Sequence, residues 1–301
     1  MPLEATLALA LLPDFALILL GAALRRILHL GDHFWGGLEK LVYYVLFPAL
    51  LFGGLLKARI DWSAAAPMLA VAGAAMGGAM LLGLAARLFA ITPVSFASQY
   101  QCAFRFNSYI GLAVAGTLYG VPGIAAMGIV IGFMVPPANL AAVWMLARHG
   151  EAGVWRELAR NPLILATLAG MAANLGGLEL PSVPAKFLVR LGDAAVVLGL
   201  LAVGAGLRIV GAGGTATHAA AAYILLVKLV AMPAIALLVI RAFRLSGMHA
   251  DVALIFAALP AASSAYILAQ RMGGDGARVA WLISSGTLCS MVSIPLWLGL
   301  R

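Results

Sequence analysis

The chain has 301 residues, 64% of them hydrophobic and only 10% charged, with a mean hydropathy of +1.05. Soluble domains hold roughly 45–50% apolar and about 25% charged residues, so this composition excludes a soluble globular protein and gives an integral membrane protein. The net charge of +8 does not indicate nucleic acid as a partner, because the basic residues cluster at the ends of apolar runs, where they set topology and meet anionic lipid.

A spanning helix needs about 20 mostly apolar residues. Ten runs qualify, over Thr6–Leu24, Leu38–Leu56, Ala64–Phe89, Ala97–Tyr119, Gly123–Leu146, Pro162–Leu178, Leu188–Leu207, Ala219–Ala242, Val252–Gln270 and Arg278–Leu300. The N-terminal MPLEATLALALLPDF carries Glu4 and no basic start, so it is not read as a secretory signal. Cys102 and Cys289 show no CxxC or zinc spacing and are read as small buried hydrophobes, with no disulfide framework and no metal. His29 and His33 flank Asp32 at a metal-like spacing, but they lack a third ligand and are not read as a site. The longest polar segment is Arg148–Asn161, between runs five and six, too short to carry separate chemistry.

Two runs are interrupted. Ala103–Gly120 (AFRFNSYIGLAVAGTLYG) carries Arg105, Asn107 and Ser108 inside an apolar stretch, with Gly111 one turn on. Ala257–Gly274 (AALPAASSAYILAQRMGG) carries Pro260, Ser263 and Ser264. Placing Asn107 over Pro260 sets Gly111 on Ser264 and Gly120 on Gly273. Such a pair, one interrupted helix in each half of a membrane protein, is the best sequence pointer to a transporter's binding site. Five runs precede the polar segment and five follow it, and an odd number per half forces opposite topologies. The chain therefore reads as an all-α membrane protein of ten helices in two inverted repeats, residues 1–150 and 151–301. Loops after odd runs hold ten Lys and Arg against seven on the other side, which places both termini outside and the central loop in the cytoplasm.

Each candidate site residue has a structural and a functional reading. Asn107 is either a helix–helix hydrogen bond or, as favoured by its place in an interruption beside Ser108, a ligand contact. Pro260 lacks an N–H and clashes one turn back, so it either kinks the helix or opens the backbone to a ligand. Ser263 and Ser264 begin the next half-helix, whose positive end suits an anionic group, although serines also bond their own backbone. Arg105 either snorkels to an interface or meets a carboxylate. Lys228, mid-run in LLVKLVAMP, is expected to be paired or to face a cavity and to act as a supporting charge. Pro48 bends the second run in LFPALLF. Asn139, after Pro136 and Pro137, either lines the cavity or packs. Asp14, in LLPDFALILLG, is read as an interface residue.

Taken together, several motifs carry a resemblance over nearly the whole chain: LLPDFALILLGAALRR, LFPALLF, FRFNSYIGLA, NPLILATLAGMAANLGGLELP, LLAVGAGL, KLVAMP, LPAASSAYILAQRMGGD and TLCSMVSIPL. In their order and spacing the chain resembles the auxin efflux carrier family, the bacterial relatives of the plant carriers that include malonate and malate permeases. The resemblance implies two inverted five-helix repeats with crossed, broken helices four and nine, as in sodium–proton antiporters and bile-acid symporters. It implies a scaffold of runs 1, 2, 6 and 7, dimeric through that scaffold, and a transport bundle of runs 3–5 and 8–10. It further implies an organic anion bound beside the crossing of Asn107 and Pro260, elevator-like movement, and a multi-pass place in the bacterial inner membrane. The chain departs from the family in Val197-Leu198-Gly199, where a proline is common, and in its short central loop.

The expected function is thus a secondary carrier of small organic anions such as carboxylates, with the bilayer and the anion as partners and no cofactor. The carboxylate would meet the half-helix after Pro260, the Asn107 amide and Arg105, while runs two and seven supply the apolar wall. No phosphate-binding loop is present, so gradients would drive transport. An intramembrane enzyme is the competing class, but there is no HExxH or GxSxG, and the histidines lie in loops or at run ends. A sodium- or proton-coupled symporter of the same fold is the other alternative. No Asp or Glu lies within either interrupted stretch, which disfavours a dedicated cation site.

Overall fold

Hydrocarbon offers no partner for a backbone N–H or C=O, so a chain this apolar must satisfy its backbone within helices. The computed structural model describes residues 3–57, 62–147, 162–207, 215–262 and 264–301, and no strand occurs among the described residues. The polar segment Arg148–Asn161 and Ser263 lie outside the described residues.

Helix α1 (Leu3–Ile27) ends on Arg25 and Arg26, cations that suit the negative end of the helix dipole. Helix α2 (Asp32–Leu41) runs through a π turn, Val42–Leu46, into α3 (Phe47–Lys57). The cause is Pro48, which cannot donate one turn back and crowds the carbonyl there, so the helix widens. Helix α4 (Trp62–Gly83) closes in a 3₁₀ turn, Leu84–Leu88. Helix α5 (Pro93–Tyr100) is capped by Thr92, whose Oγ1 accepts from Ser95 N at 3.2 Å. A 3₁₀ turn, Gln101–Ala103, and an irregular stretch, 104–107, separate α5 from α6 (Ser108–Ala147). Helix α6 is two arms joined at Gly120, whose φ of 60° and ψ of −144° favour glycine. The arms fold back on each other, with Gly111 beside Met127 and Gly116 beside Ile124.

Helices α7 (Pro162–Leu175) and α8 (Ser182–Ala205) follow. Helix α9 (Thr215–Leu226) passes through a second π turn, Val227–Ala231, into α10 (Met232–Ala242). Pro233 frees the carbonyl of Leu229 here, and Trp297 Nε1 donates to that oxygen at 2.9 Å. Helix α11 (Gly247–Ala258), an irregular stretch from Leu259, α12 (Ser264–Arg271) and α13 (Gly276–Gly299) complete the chain.

Among the described residues, six stretches are long and apolar enough to cross a bilayer: Asp32–Leu56, Ala65–Leu88, Pro93–Leu146, Ser182–Ala205, His218–Ala242 and Gly276–Gly299. Leu81, Leu88, Trp144 and Leu238 stand exposed, which suits lipid. Several helices start earlier than expected: α5 at Pro93 and not Ala97, α8 at Ser182 and not Leu188, α11 at Gly247 and not Val252. Their first turns hold polar or charged residues, which hydropathy alone rejects and helix geometry accepts. Cys289 is exposed, against the buried placement expected for it, whereas Cys102 is buried.

The helices pack in two groups. Helix α1 packs most heavily on α8, and α3 on α7 and α8. The α1–α8 seam brings backbone onto backbone: a Cβ on Gly204 would overlap the Ile18 carbonyl oxygen, and one on Gly21 the Leu201 carbonyl oxygen. Gly170 of α7 leaves the same kind of room, since a Cβ there would lie 2.9 Å from Leu55 Cβ and 3.2 Å from Phe52 Cα. Small residues are how apolar helices approach closely in lipid. Helix ends are tied across these seams, Arg25 Nη1 donating to Ala205 O at 2.8 Å and Asn174 Nδ2 to Leu56 O at 3.0 Å. The second group holds α4, α10 and α11, with the 3₁₀ turn Gln101–Ala103 and the second π turn among them, and α6 lies between the groups, packing on α11 and α4 on one side and on α1, α3, α7 and α8 on the other.

Candidate functional site

The two interruptions meet inside the second group. Helix α11 stops at Ala258 because Leu259, forced extended before Pro260, has φ −60° and ψ 143°. This frees the Pro260 carbonyl, and Asn107 N donates to it at 2.9 Å. Two side chains brace the same junction. Arg105 Nη2 donates to Ser264 Oγ at 2.9 Å and Nη1 to Gln101 Oε1 at 3.3 Å. Gln101 Nε2 donates to Ala265 O at 3.1 Å. Arg105 is 8% exposed and Gln101 fully buried, so Arg105 does not snorkel to an interface. Gly111 permits the approach: a Cβ there would lie 2.9 Å from Leu259 Cδ1.

Asn107 is the cap of the half-helix that follows. Its Oδ1 accepts from Tyr109 N at 3.0 Å and Ile110 N at 3.3 Å. Two donors on that atom fix the amide orientation, which turns the NH₂ group away from the helix. Nδ2 is buried and has no hydrogen-bond partner among the described residues, in a side chain only 3% exposed. An amide donor left unsatisfied in a dry interior costs about 1–3 kcal/mol, which a bound acceptor would recover.

Two helix N-termini begin at the crossing, α6 at the half-buried Ser108 and α12 at the exposed Ser264. Tyr109 N and Ile110 N are taken by the Asn107 cap and Ala265 N by Ala262 O, so what the two ends present is chiefly the positive end of the helix dipole. The acidic groups nearest in sequence are engaged elsewhere. Asp275 Oδ2 accepts from Ser95 Oγ at 2.8 Å and its Oδ1 from Arg278 N at 3.1 Å, capping α13. Asp251 is held by Tyr119 Oη and by Arg301 Nε, the latter at 2.6 Å. The junction thus offers donors and positive charge, a chemistry suited to a carboxylate.

The remaining candidates divide. Lys228 is 1% exposed in the second π turn, which packs against Gln101–Ala103, and its Nζ lies 3.0 Å from Met232 Sδ. Pro48 is half-buried at the start of α3. Its neighbour Phe47 stacks on Tyr109, centroids 4.4 Å apart and planes 3° from parallel, joining the first group to the residue two beyond Asn107. Asn139 is half-buried in the distal arm of α6, which passes Gly111 at Met127, roughly three turns before Asn139. It takes no part in the hydrogen bonds of the crossing. Sequence reasoning missed Phe47, Tyr109 and Gln101, and it misplaced Asp14. That carboxylate is 8% exposed and accepts from Thr117 Oγ1 at 2.9 Å, tying α1 to the first arm of α6. The available signal was the recurrence of aromatic residues beside each break, in LFPALLF and FRFNSYIG.

Comparison with known proteins bears on this arrangement. The model of a family described as "Membrane transport protein" matches residues 146–298, about half of the chain. The chain belongs to that family, the auxin efflux carriers. It is 26% identical over 299 residues to a "Putative malonate transporter" of Rhizobium meliloti (strain 1021), covering 94% of this chain and 92% of that protein. It is 25% identical over 288 residues to an "Uncharacterized transporter" of Methanothermobacter thermautotrophicus, covering 93% and 94%. This auxin efflux carrier family member is a multi-pass membrane protein, and its relatives point to a transporter rather than an enzyme.

Proposed function

We propose that the chain is a secondary carrier of small organic anions, with the anion bound at the crossing of the two interrupted helices. The observation that carries this is the buried Asn107 Nδ2 without an acceptor among the described residues, set beside Arg105 and two half-helix N-termini. A relative named for malonate, a dicarboxylate, supports the carboxylate class. In this reading the protein is two inverted five-helix repeats, 1–150 and 151–301. Helices α1, α2–α3, α7 and α8 form a fixed scaffold through which two copies pair. The bundle, from α4 to α6 and from α9 to α13, carries the crossing past it in an elevator-like movement. The division into two packing groups favours this, as does their contact through the Phe47–Tyr109 stack and the Thr117–Asp14 bond. Ser108, Pro260 and Ser264 would frame the anion, Pro48 would shape the scaffold wall, and Asn139 would line the approach.

The test is counterflow of labelled malonate in liposomes, with and without a sodium gradient. Accumulation independent of sodium is expected; dependence on sodium would give the symporter reading. Absence of exchange with malonate, succinate and acetate would remove the anion class. The orientation proposed is both termini outside the cytoplasm of a bacterial inner membrane. A cytoplasm-specific reporter active when fused after Arg301 would reverse it.

A further inference from the structure

The buried Lys228 side chain lies outside the contacts assigned to the anion. Its side chain is 1% exposed, and among the described residues its Nζ meets the Met232 thioether, a weak acceptor that offsets almost none of an ammonium's lost hydration. The π turn that carries it, Val227–Ala231, packs on Gln101–Ala103, the last turn before the break that holds Arg105 and Asn107. Local π turns are frequent at functional positions, and intramembrane ionisable residues mark ion pathways.

We infer that Lys228 is the proton-coupling residue of this carrier: it is an amine while the crossing is empty and takes a proton from water onto Nζ when the anion arrives, so that proton and anion cross together. The step moves one proton and changes no bond besides N–H. It rests on the anion-carrier reading, because the arriving negative charge is what makes the ammonium affordable in a dry interior.

The neighbours leave this role to Lys228. Among the described residues, α4 carries no ionisable side chain along its length. The 3₁₀ turn contributes Cys102, which lies within electrostatic reach of both Lys228 and Arg105. On α9, Tyr223 donates to Leu82 O, while His218 bonds Arg278 of α13. Arg241 of α10 donates to Leu300 O. On α11, Asp251 is engaged by Tyr119 and Arg301, and His249 lies at the start of the helix. Cys289 of α13 is exposed.

Linkage gives the sign. If the anion-bound state holds one proton more than the empty state, affinity falls as pH rises, by about tenfold per unit. Calorimetry with malonate on the purified full chain, between about pH 7.5 and 9 and in two buffers of different ionisation enthalpy, measures both the slope and the proton count. The expected result is one proton taken up per malonate in wild type and in Cys102→Ala, and binding without uptake and without slope in Lys228→Arg, whose charge is permanent. Uptake surviving in Lys228→Arg, or lost in Cys102→Ala alone, would overturn the assignment. A second readout follows the lysine directly. The chain has four lysines, so ε-carbon labelling gives four resonances, with Lys228 identified by its loss in Lys228→Arg. An amine signal in the empty protein that becomes ammonium with malonate supports the inference. An ammonium signal in the empty protein overturns the coupling while the anion reading stands. Absence of malonate, succinate and acetate binding overturns the anion reading and the coupling with it.

Discussion

The α1–α8 seam and the helix crossing meet opposite demands in the same solvent. At the seam, Gly21 and Gly204 let backbone lie on backbone, and the Arg25 hydrogen bond to the Ala205 carbonyl sits at the helix ends. At the crossing, Asn107, Arg105 and Gln101 carry polar groups into the interior, and Asn107 Nδ2 has no partner among the described residues. Packing without polar groups has no alternative partner to switch to. A polar junction with a spare donor gains by meeting a ligand. The first region suits a fixed wall, and the second suits a site.

The largest effect is expected from a methyl group at the seam. Gly204→Ala should lower stability by about 3 kcal/mol, the upper end for overpacking, because the group met is backbone and cannot rotate away. Gly53→Ala on α3 is the control, since its Cβ would meet Leu188 Cβ at an ordinary 3.6 Å. It should be neutral or slightly stabilising through helix propensity. Thermal unfolding in detergent of both variants breaks the comparison if they behave alike.

Arg105→Gln should weaken malonate binding by roughly ten- to a hundredfold, since a charge-assisted hydrogen bond is worth about 1.5–3 kcal/mol. Arg105→Lys should recover little of it, because one ammonium cannot reproduce the fork that reaches both Gln101 and Ser264. Calorimetry on the two variants sharpens the assignment, and full recovery by lysine would make Arg105 a diffuse charge and not a brace. The smallest effect is expected where the two regions touch. Thr117→Val removes the donor to Asp14 and should cost about 1 kcal/mol in thermal stability. If the bond fastens bundle to scaffold, the variant should also exchange malonate at an altered rate with unchanged affinity.

Much of the crossing was legible because its residues are conspicuous in lipid. Arg105, Asn107 and Pro260 interrupt apolar runs, and superposing Asn107 on Pro260 picked the two residues whose backbones now share a hydrogen bond. The seam was not legible, because the chain has 34 glycines and none announces which carbonyl it faces. Asp14 was misplaced for a similar reason: its partner Thr117 lies 103 residues away, and sequence position alone put the carboxylate at an interface. Helix starts were missed where first turns are polar, as at Pro93–Gln99, although capping by Thr92 supplied a signal that hydropathy ignores. Asn139 shows the converse, a polar residue in an apolar run whose place on the second arm of α6 follows from the backward fold at Gly120 and not from hydropathy.

The central claim is that the Asn107 NH₂ group is kept for an anion, and Asn107→Asp tests it most directly. The substitution keeps an oxygen to cap α6 at Tyr109 and Ile110 but replaces the spare donor by an acceptor that is charged when ionised, so Asn107→Ser, an equally good cap without that charge, is measured beside it to separate loss of the donor from repulsion. Both proteins are expected to be monodisperse and to show no measurable binding or counterflow of malonate, with the unfolding temperature of Asn107→Ser close to wild type. Wild-type binding by a folded Asn107→Asp protein would contradict it, and the anion would have to be held elsewhere.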